Sequence, residues 1–180
     1  MRATLNSVLR TVQNMPVYFI RDSRSHSIKI GRSAKPQKRV NQLQTGNPNL
    51  LELMGWIETE DDVETEQTLH QTYQVKREVG EWFAIDVDDV LHQLRRFTGF
   101  VPVSGESFAV FGYDRDGIPE YVGVCRWETF EYEDCCPFCG CFCGMSYQES
   151  TYMYHCLNCD AYTDFSEPDP IDIAGDPEGF

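Results

Sequence analysis

The sequence predicts an α/β fold, in which a small domain with a three-stranded, mainly antiparallel sheet flanked by helices is followed by a small β-rich unit organised around cysteines. Three observations predict it. Short β-branched and aromatic runs alternate with stretches of helical periodicity over residues 15–98. Two Cys-x-x-Cys pairs, Cys136/Cys139 and Cys156/Cys159, follow a hairpin signal. A chain of 180 residues that is 41% hydrophobic can bury one moderate core or two small ones.

Residues 1–14 carry Arg2 and Arg10 without an acid and read as a leading helix or flexible arm, with a transit peptide as the alternative. Runs at 17–20 and 27–30, separated by the polar stretch Arg21-Asp22-Ser23-Arg24-Ser25-His26, read as a hairpin. Ser33 is placed to cap a helix beginning near Pro36, whose missing N–H costs nothing in a first turn; Val40 and Leu43 then face inward and Gly46 ends the helix. Residues 50–57 are apolar enough for a buried third strand. From Asp61 or Asp62 onward, Val63, Leu69, His70 and Tyr73 recur at helical spacing. Residues 82–85 form a short extended segment, and Asp86 caps a third helix with Val87, Val90, Leu91, Leu94 and Phe97 on one stripe. Residues 99–134 read as a connector followed by a hairpin, whose strands at 108–113 and 120–124 flank Asp116-Gly117. The cysteine unit occupies 135–165, and 166–180, rich in Pro, Gly, Asp and Glu, reads as a disordered acidic tail.

Charge is divided along the chain. The net charge is -14, yet residues 1–50 hold nine Lys/Arg against one acid, Asp22, leaving six basic and 28 acidic residues in the remainder. A basic block of this kind is where a phosphate backbone docks, because clustered cations displace condensed counterions. The acidic remainder limits non-specific affinity for DNA. No apolar run approaches the roughly 18–20 residues of a membrane span, so no membrane partner is expected and the protein is expected to be soluble and cytoplasmic.

Within the first half stand Val17-Tyr18-Phe19-Ile20, Lys29-Ile30-Gly31, Arg39, Glu66-Gln67-Thr68-Leu69-His70 and Gly80-Glu81-Trp82-Phe83. This set resembles the GIY-YIG nuclease superfamily, in the branch whose second motif reads Lys-Ile-Gly and which is often labelled a phage-type DNA-binding domain. The resemblance covers residues 15–98 and implies phosphodiester hydrolysis with one divalent ion, Mg²⁺ or Mn²⁺. It implies that Tyr18 handles the nucleophilic water, that Arg39, eight residues after Gly31, contacts phosphate, and that Glu66 holds the metal. Two positions depart from the pattern: Pro16 replaces the first motif's glycine, and Lys29 replaces the tyrosine that opens the second. A Lys29 ammonium favours the phenolate of Tyr18 or binds phosphate itself, and suits either catalysis or simple grip on DNA. Arg32, Lys35 and Lys38 are candidates for substrate binding. His70 is either a polar group in the cleft or a satisfied histidine on the buried helix face. Glu81 supports the cleft through a basic residue or extends the metal's surroundings, and Trp82 and Phe83 anchor the closing strand.

The cysteine pairs are separated by sixteen residues, a spacing at which four thiolates converge on one tetrahedral Zn²⁺. This resembles a zinc ribbon. Closed coordination by Cys136, Cys139, Cys156 and Cys159 leaves no open position for substrate, so the metal is structural. Cys125, Cys135, Cys141 and Cys143 remain; they leave a shifted ligand register or a second metal site open, with Cys125 most simply a strand residue and His155 beside the ligands.

Three functions follow as expectations. The first is a metal-dependent DNA endonuclease whose zinc ribbon docks DNA or a protein partner. The second is a DNA-binding protein that uses the same cleft without turnover. The third is an adaptor whose acidic ribbon and tail engage a protein.

Overall fold

The computed structural model describes residues 15–103, 108–113, 115, 119–123, 125–127, 130–132, 135–143 and 145–163. The arm at 1–14, the tail at 166–180 and most of the turn between the middle strands lie outside them.

Strands β1 (Val17–Asp22) and β2 (Ile28–Arg32) form the predicted hairpin, with Tyr18 opposite Gly31 and Ile20 opposite Lys29. Strand β3 (Leu51–Ile57) pairs with the other edge of β1 through a register shift between Phe19 and Ile20. A fourth strand, β4 (Trp82–Phe83), lies against β2, so the sheet runs β3-β1-β2-β4 and every pairing is antiparallel. The sequence predicts three strands. The fourth is two residues long, too short for alternation to reveal, and Ile30 N–H donating to Glu81 O at 3.1 Å extends its grip.

The sheet is covered on both faces, which is why its strands are almost continuously apolar. On one face Val17, Phe19, Ile28, Ile30, Met54 and Ile57 meet Leu69 of α2 (Asp62–Thr72) and Val90 and Leu94 of α3 (Val87–Arg96). On the other, Tyr18, Ile20, Leu51 and Leu53 meet Val40 and Leu43 of α1 (Pro36–Gln44). Ser33 does not cap α1. The cap position is Lys35, whose N–H donates to Ser33 Oγ at 3.2 Å, so Ser33 shapes the entry turn and Pro36 opens the helix. Asp61 caps α2 by accepting from Glu64 N–H at 2.9 Å, and Asp86 and Asp89 form a reciprocal capping box on α3. Val63 is 43% exposed rather than inward; Thr65 and Leu69 take the buried positions of α2.

Asp22 fixes the β1–β2 turn. Its buried carboxylate accepts from the backbone N–H groups of Arg24 (2.9 Å) and Ser25 (3.0 Å) and from the Asn49 amide (2.9 Å). Burial alone would push the carboxyl up, but these donors outweigh it and hold its pKa at about 2, below the ordinary 3.8. Because the folded value is depressed, the stabilisation is complete above pH 4 and lost as pH falls toward 2, and it amounts to about 2 kcal/mol. Asp22→Ala is expected to lower stability by about that amount at pH 7 and to flatten the loss between pH 4 and 2, measured by urea unfolding.

Beyond α3 the chain returns to the sheet. Phe100 exchanges hydrogen bonds with Trp56 (2.8 and 2.9 Å) and forms a second bridge to Cys141, so the stretch read as a connector is laced to both parts of the molecule. Strands β5 (Phe108–Tyr113) and β6 (Pro119–Gly123) form the middle hairpin, and β7 (Cys125–Trp127) and β8 (Phe130–Tyr132) a second. Strands β9 (Met145–Gln148), β10 (Met153–Cys156) and β11 (Tyr162–Thr163) make a three-stranded sheet beside the cysteines. Among the described residues no helix is long and apolar enough to cross a membrane.

Candidate functional site

Three side-chain groups could carry chemistry. The first lies on the α1 face, where alternation along the strands sends Tyr18, Lys29 and the bare face of Gly31 to the same side. Tyr18 is 1% exposed, and its ring crosses Gly31 so closely that a β-carbon there would lie 2.6 Å from the phenol oxygen. The glycine is therefore a space requirement: it lets the phenol reach the β2 edge. Gly31→Ala is expected to displace Tyr18 with a loss of about 1–3 kcal/mol, checked by thermal unfolding.

Lys29 is buried and bonds Glu81, with its ammonium 6.0 Å from the centre of the Trp82 ring. Burial raises the Glu81 carboxyl, but Lys29, with His70 and Arg39 in support, wins and leaves it below the usual range. Glu81 thus reports that Lys29, Arg39 and His70 share one neighbourhood. His70 is held from both sides: Nε2 lies 3.1 Å from Ile30 O, Arg77 donates to Nδ1 at 3.2 Å, and its ring packs on Phe83. A carbonyl oxygen only accepts, so Nε2 carries a proton toward Ile30 O. Arg39 bonds Gln42 at 3.1 Å, and Lys35, at the cap of α1, and Lys38, in its first turn, stand exposed.

The second group is on α2. Arg32 donates to Glu66 at 2.6 Å and to Asp62 at 3.3 Å, with both carboxylates only 15% exposed. Glu66 raises the Arg32 pKa, so the guanidinium stays charged between the two acids. Asp62 and Glu66 lie four residues apart and so share a helix face, a spacing visible in the sequence that did not single out Asp62. Among the described residues no hydrogen bond or ion pair joins this group to Tyr18, Lys29 or Arg39.

The third group is the cysteine cluster. The sulfur atoms of Cys136, Cys139, Cys156 and Cys159 all lie within 4.8 Å of one another, with Cys136–Cys159 at 3.7 Å and Cys139–Cys156 at 3.8 Å. Four thiolates about 2.3 Å from one tetrahedral ion stand about 3.8 Å apart, so the cluster fits a structural metal such as zinc. The Cys139 thiol and burial push the Cys136 thiol up, and burial pushes the Cys156 thiol up to about 12; backbone N–H groups of Phe138 and Cys139 at Cys136, and of Asn158 and Cys159 at Cys156, oppose the rise. Cys143 lies 3.5 Å from Cys156 but outside the four. Cys135 is buried in the main core, Cys141 sits against Thr98 O at 3.9 Å, and His155 pairs with Asp160 at 3.3 Å. The Cys125 side chain lies outside the described residues.

Residues 15–98 match the family model of the T5orf172 domain. The T5orf172 match runs from the residues entering β1 to the end of α3, and it spans the first and second groups but not the cysteine cluster. No curated protein and no solved structure matches the chain.

Proposed function

We propose that the T5orf172 region is a phage-type DNA-binding, nuclease-like domain of GIY-YIG kind that hydrolyses phosphodiester bonds. The observation that supports it best is the pair of half-buried carboxylates, Glu66 and Asp62, holding a cation, the Arg32 guanidinium, one residue beyond the glycine that makes room for Tyr18. Carboxylate oxygens are the hard donors that Mg²⁺ and Mn²⁺ prefer, so Glu66 with Asp62 would hold such an ion. The ion would supply Lewis-acid stabilisation of the charge that develops on the phosphate.

The chain's own groups account for the rest of the reading. Arg39 binds the phosphate at the scissile position, and Arg32, Lys35 and Lys38 bind its neighbours as charge-assisted donors. The Tyr18 phenol orients the attacking water at the β2 edge. Lys29 sits two residues from Gly31 on the same face; bonded to Glu81, it keeps β4 in place. The cysteine cluster, closed by four ligands, offers a docking platform for DNA or a protein partner.

A second reading, DNA binding without turnover, draws on one specific fact. Lys29 stands where the resembled motif has a tyrosine and is already neutralised by Glu81. Plasmid, single-stranded and branched DNA incubated with the protein in Mg²⁺ and then Mn²⁺ separates the two. Cleavage supports the nuclease, whereas intact DNA with a salt-dependent mobility shift supports the binding protein.

A further inference from the structure

We propose that the groove between α1 and Trp56 is a subsite for one unpaired nucleotide of a DNA strand, with the indole stacking on its base and Lys35 and Lys38 taking its flanking phosphates. The inference rests on the DNA-binding reading above and names the form of DNA that this face accepts.

The groove has a volume of about 360 Å³, and Pro16, Pro36, Trp56, Lys35, Lys38 and Glu58 contribute to its lining. That volume is near the lower end of small-ligand sites, about 300–1,000 Å³, and suits one base with its sugar. Pro16, Pro36 and Trp56 give it apolar surface for a base, and Lys35 and Lys38 outnumber the one carboxylate, Glu58, in the lining, which suits a nucleotide with its phosphates. Among the described residues Lys35 and Lys38 form no ion pair, and both are exposed, so their charge is available to an anionic ligand.

The indole is held ready for stacking. It packs on Phe100 with ring centres 5.7 Å apart and planes 11° from parallel, and its Nε1 donates to Glu58 at 3.2 Å. Phe100 does not line the groove, which puts the groove on the side of the indole away from that stack. An aromatic plane fixed by two contacts loses little freedom when a base stacks on it. The register places the groove on the α1 face of the sheet: Trp56 lies opposite Tyr18 and Tyr18 opposite Gly31, so Trp56 shares that face with the first group, while the phenol itself reaches the other way, over Gly31.

The test is fluorescence anisotropy with a labelled single-stranded oligonucleotide and with a blunt duplex of the same sequence. Trp56→Leu is expected to weaken single-strand binding about tenfold or more while changing duplex binding less than threefold, and Trp56→Phe to restore most of the loss. Lys35→Glu with Lys38→Glu, on exposed positions that leave the fold intact, is expected to weaken single-strand binding and to reduce its salt dependence. Single-strand affinity unchanged in both Trp56→Leu and the lysine variant overturns the subsite while leaving duplex binding, and so the parent reading, in place. A wild-type protein that binds neither form removes both. Competition by poly-glutamate as effective as that by unlabelled oligonucleotide reassigns the groove to an acidic protein and also overturns the proposal.

Discussion

A chelator that strips metal from the cysteine cluster is expected to lower the thermal midpoint of the whole sheet domain by about 5–15 °C, not to melt the cysteine unit alone. The reason is the seam between them. Cys141 bridges to Phe100, Phe100 bridges to Trp56, Phe142 N–H donates to Gly99 O at 2.9 Å, and Val101 N–H donates to Gly140 O at 2.9 Å. Cys135, Phe142 and Val101 are buried in the same core as Val17, Phe19 and Leu94. Loosening the knuckle therefore exposes apolar surface and strips hydrogen bonds that the sheet domain uses, a loss of about 2–4 kcal/mol. For a chain of this size that corresponds to the stated shift. Gly140→Ala should reproduce much of the effect without touching a ligand. Gly140 has φ +71°, and a β-carbon there would lie 2.1 Å from Val101 O, a backbone atom with no room to yield. Circular dichroism melts of the full chain, with and without chelator, check both. A chelated protein whose sheet domain melts at the original temperature contradicts the coupling.

Glu66→Gln is expected to reduce cleavage by a factor of about 100 or more while leaving DNA binding intact or slightly tighter. The substitution keeps the shape of the side chain but removes the charge that would hold a divalent ion. It also weakens the 2.6 Å ion pair with Arg32, leaving the guanidinium with Asp62 at 3.3 Å and freer to meet phosphate. The pair is largely shielded from solvent, so a stability cost of about 1 kcal/mol accompanies the change. Binding and cleavage measured side by side distinguish this from unfolding, because an unfolded variant loses both.

Local signals carried much of the fold. Asp61 and Asp86 cap the helices as their positions predict, and the β-branched runs around Arg21–His26 pair as a hairpin. Long-range pairings were less visible. The two-residue strand Trp82–Phe83 exists only because β2 offers Ile28 and Lys29 to it, and Phe100 reads as loop until Trp56 and Cys141 supply its partners. Val63 fits the helical period yet stays exposed, since periodicity fixes a face and not what covers it. In the candidate site, Glu81 bonds Lys29, 52 residues away in the sequence, a partner that no local signal names. The four clustered cysteines were legible because a knuckle is a local turn, and two such turns at that separation suit one tetrahedral metal.

Parallel time courses of wild-type and Glu66→Gln protein on supercoiled plasmid and branched DNA, in Mg²⁺ and in Mn²⁺ at matched DNA occupancy, test the central claim most directly. The account predicts metal-dependent nicking or cutting by the wild type that falls by at least about 100-fold in the variant. DNA bound equally by both proteins and cut by neither, or cut by both at the same rate, would contradict it.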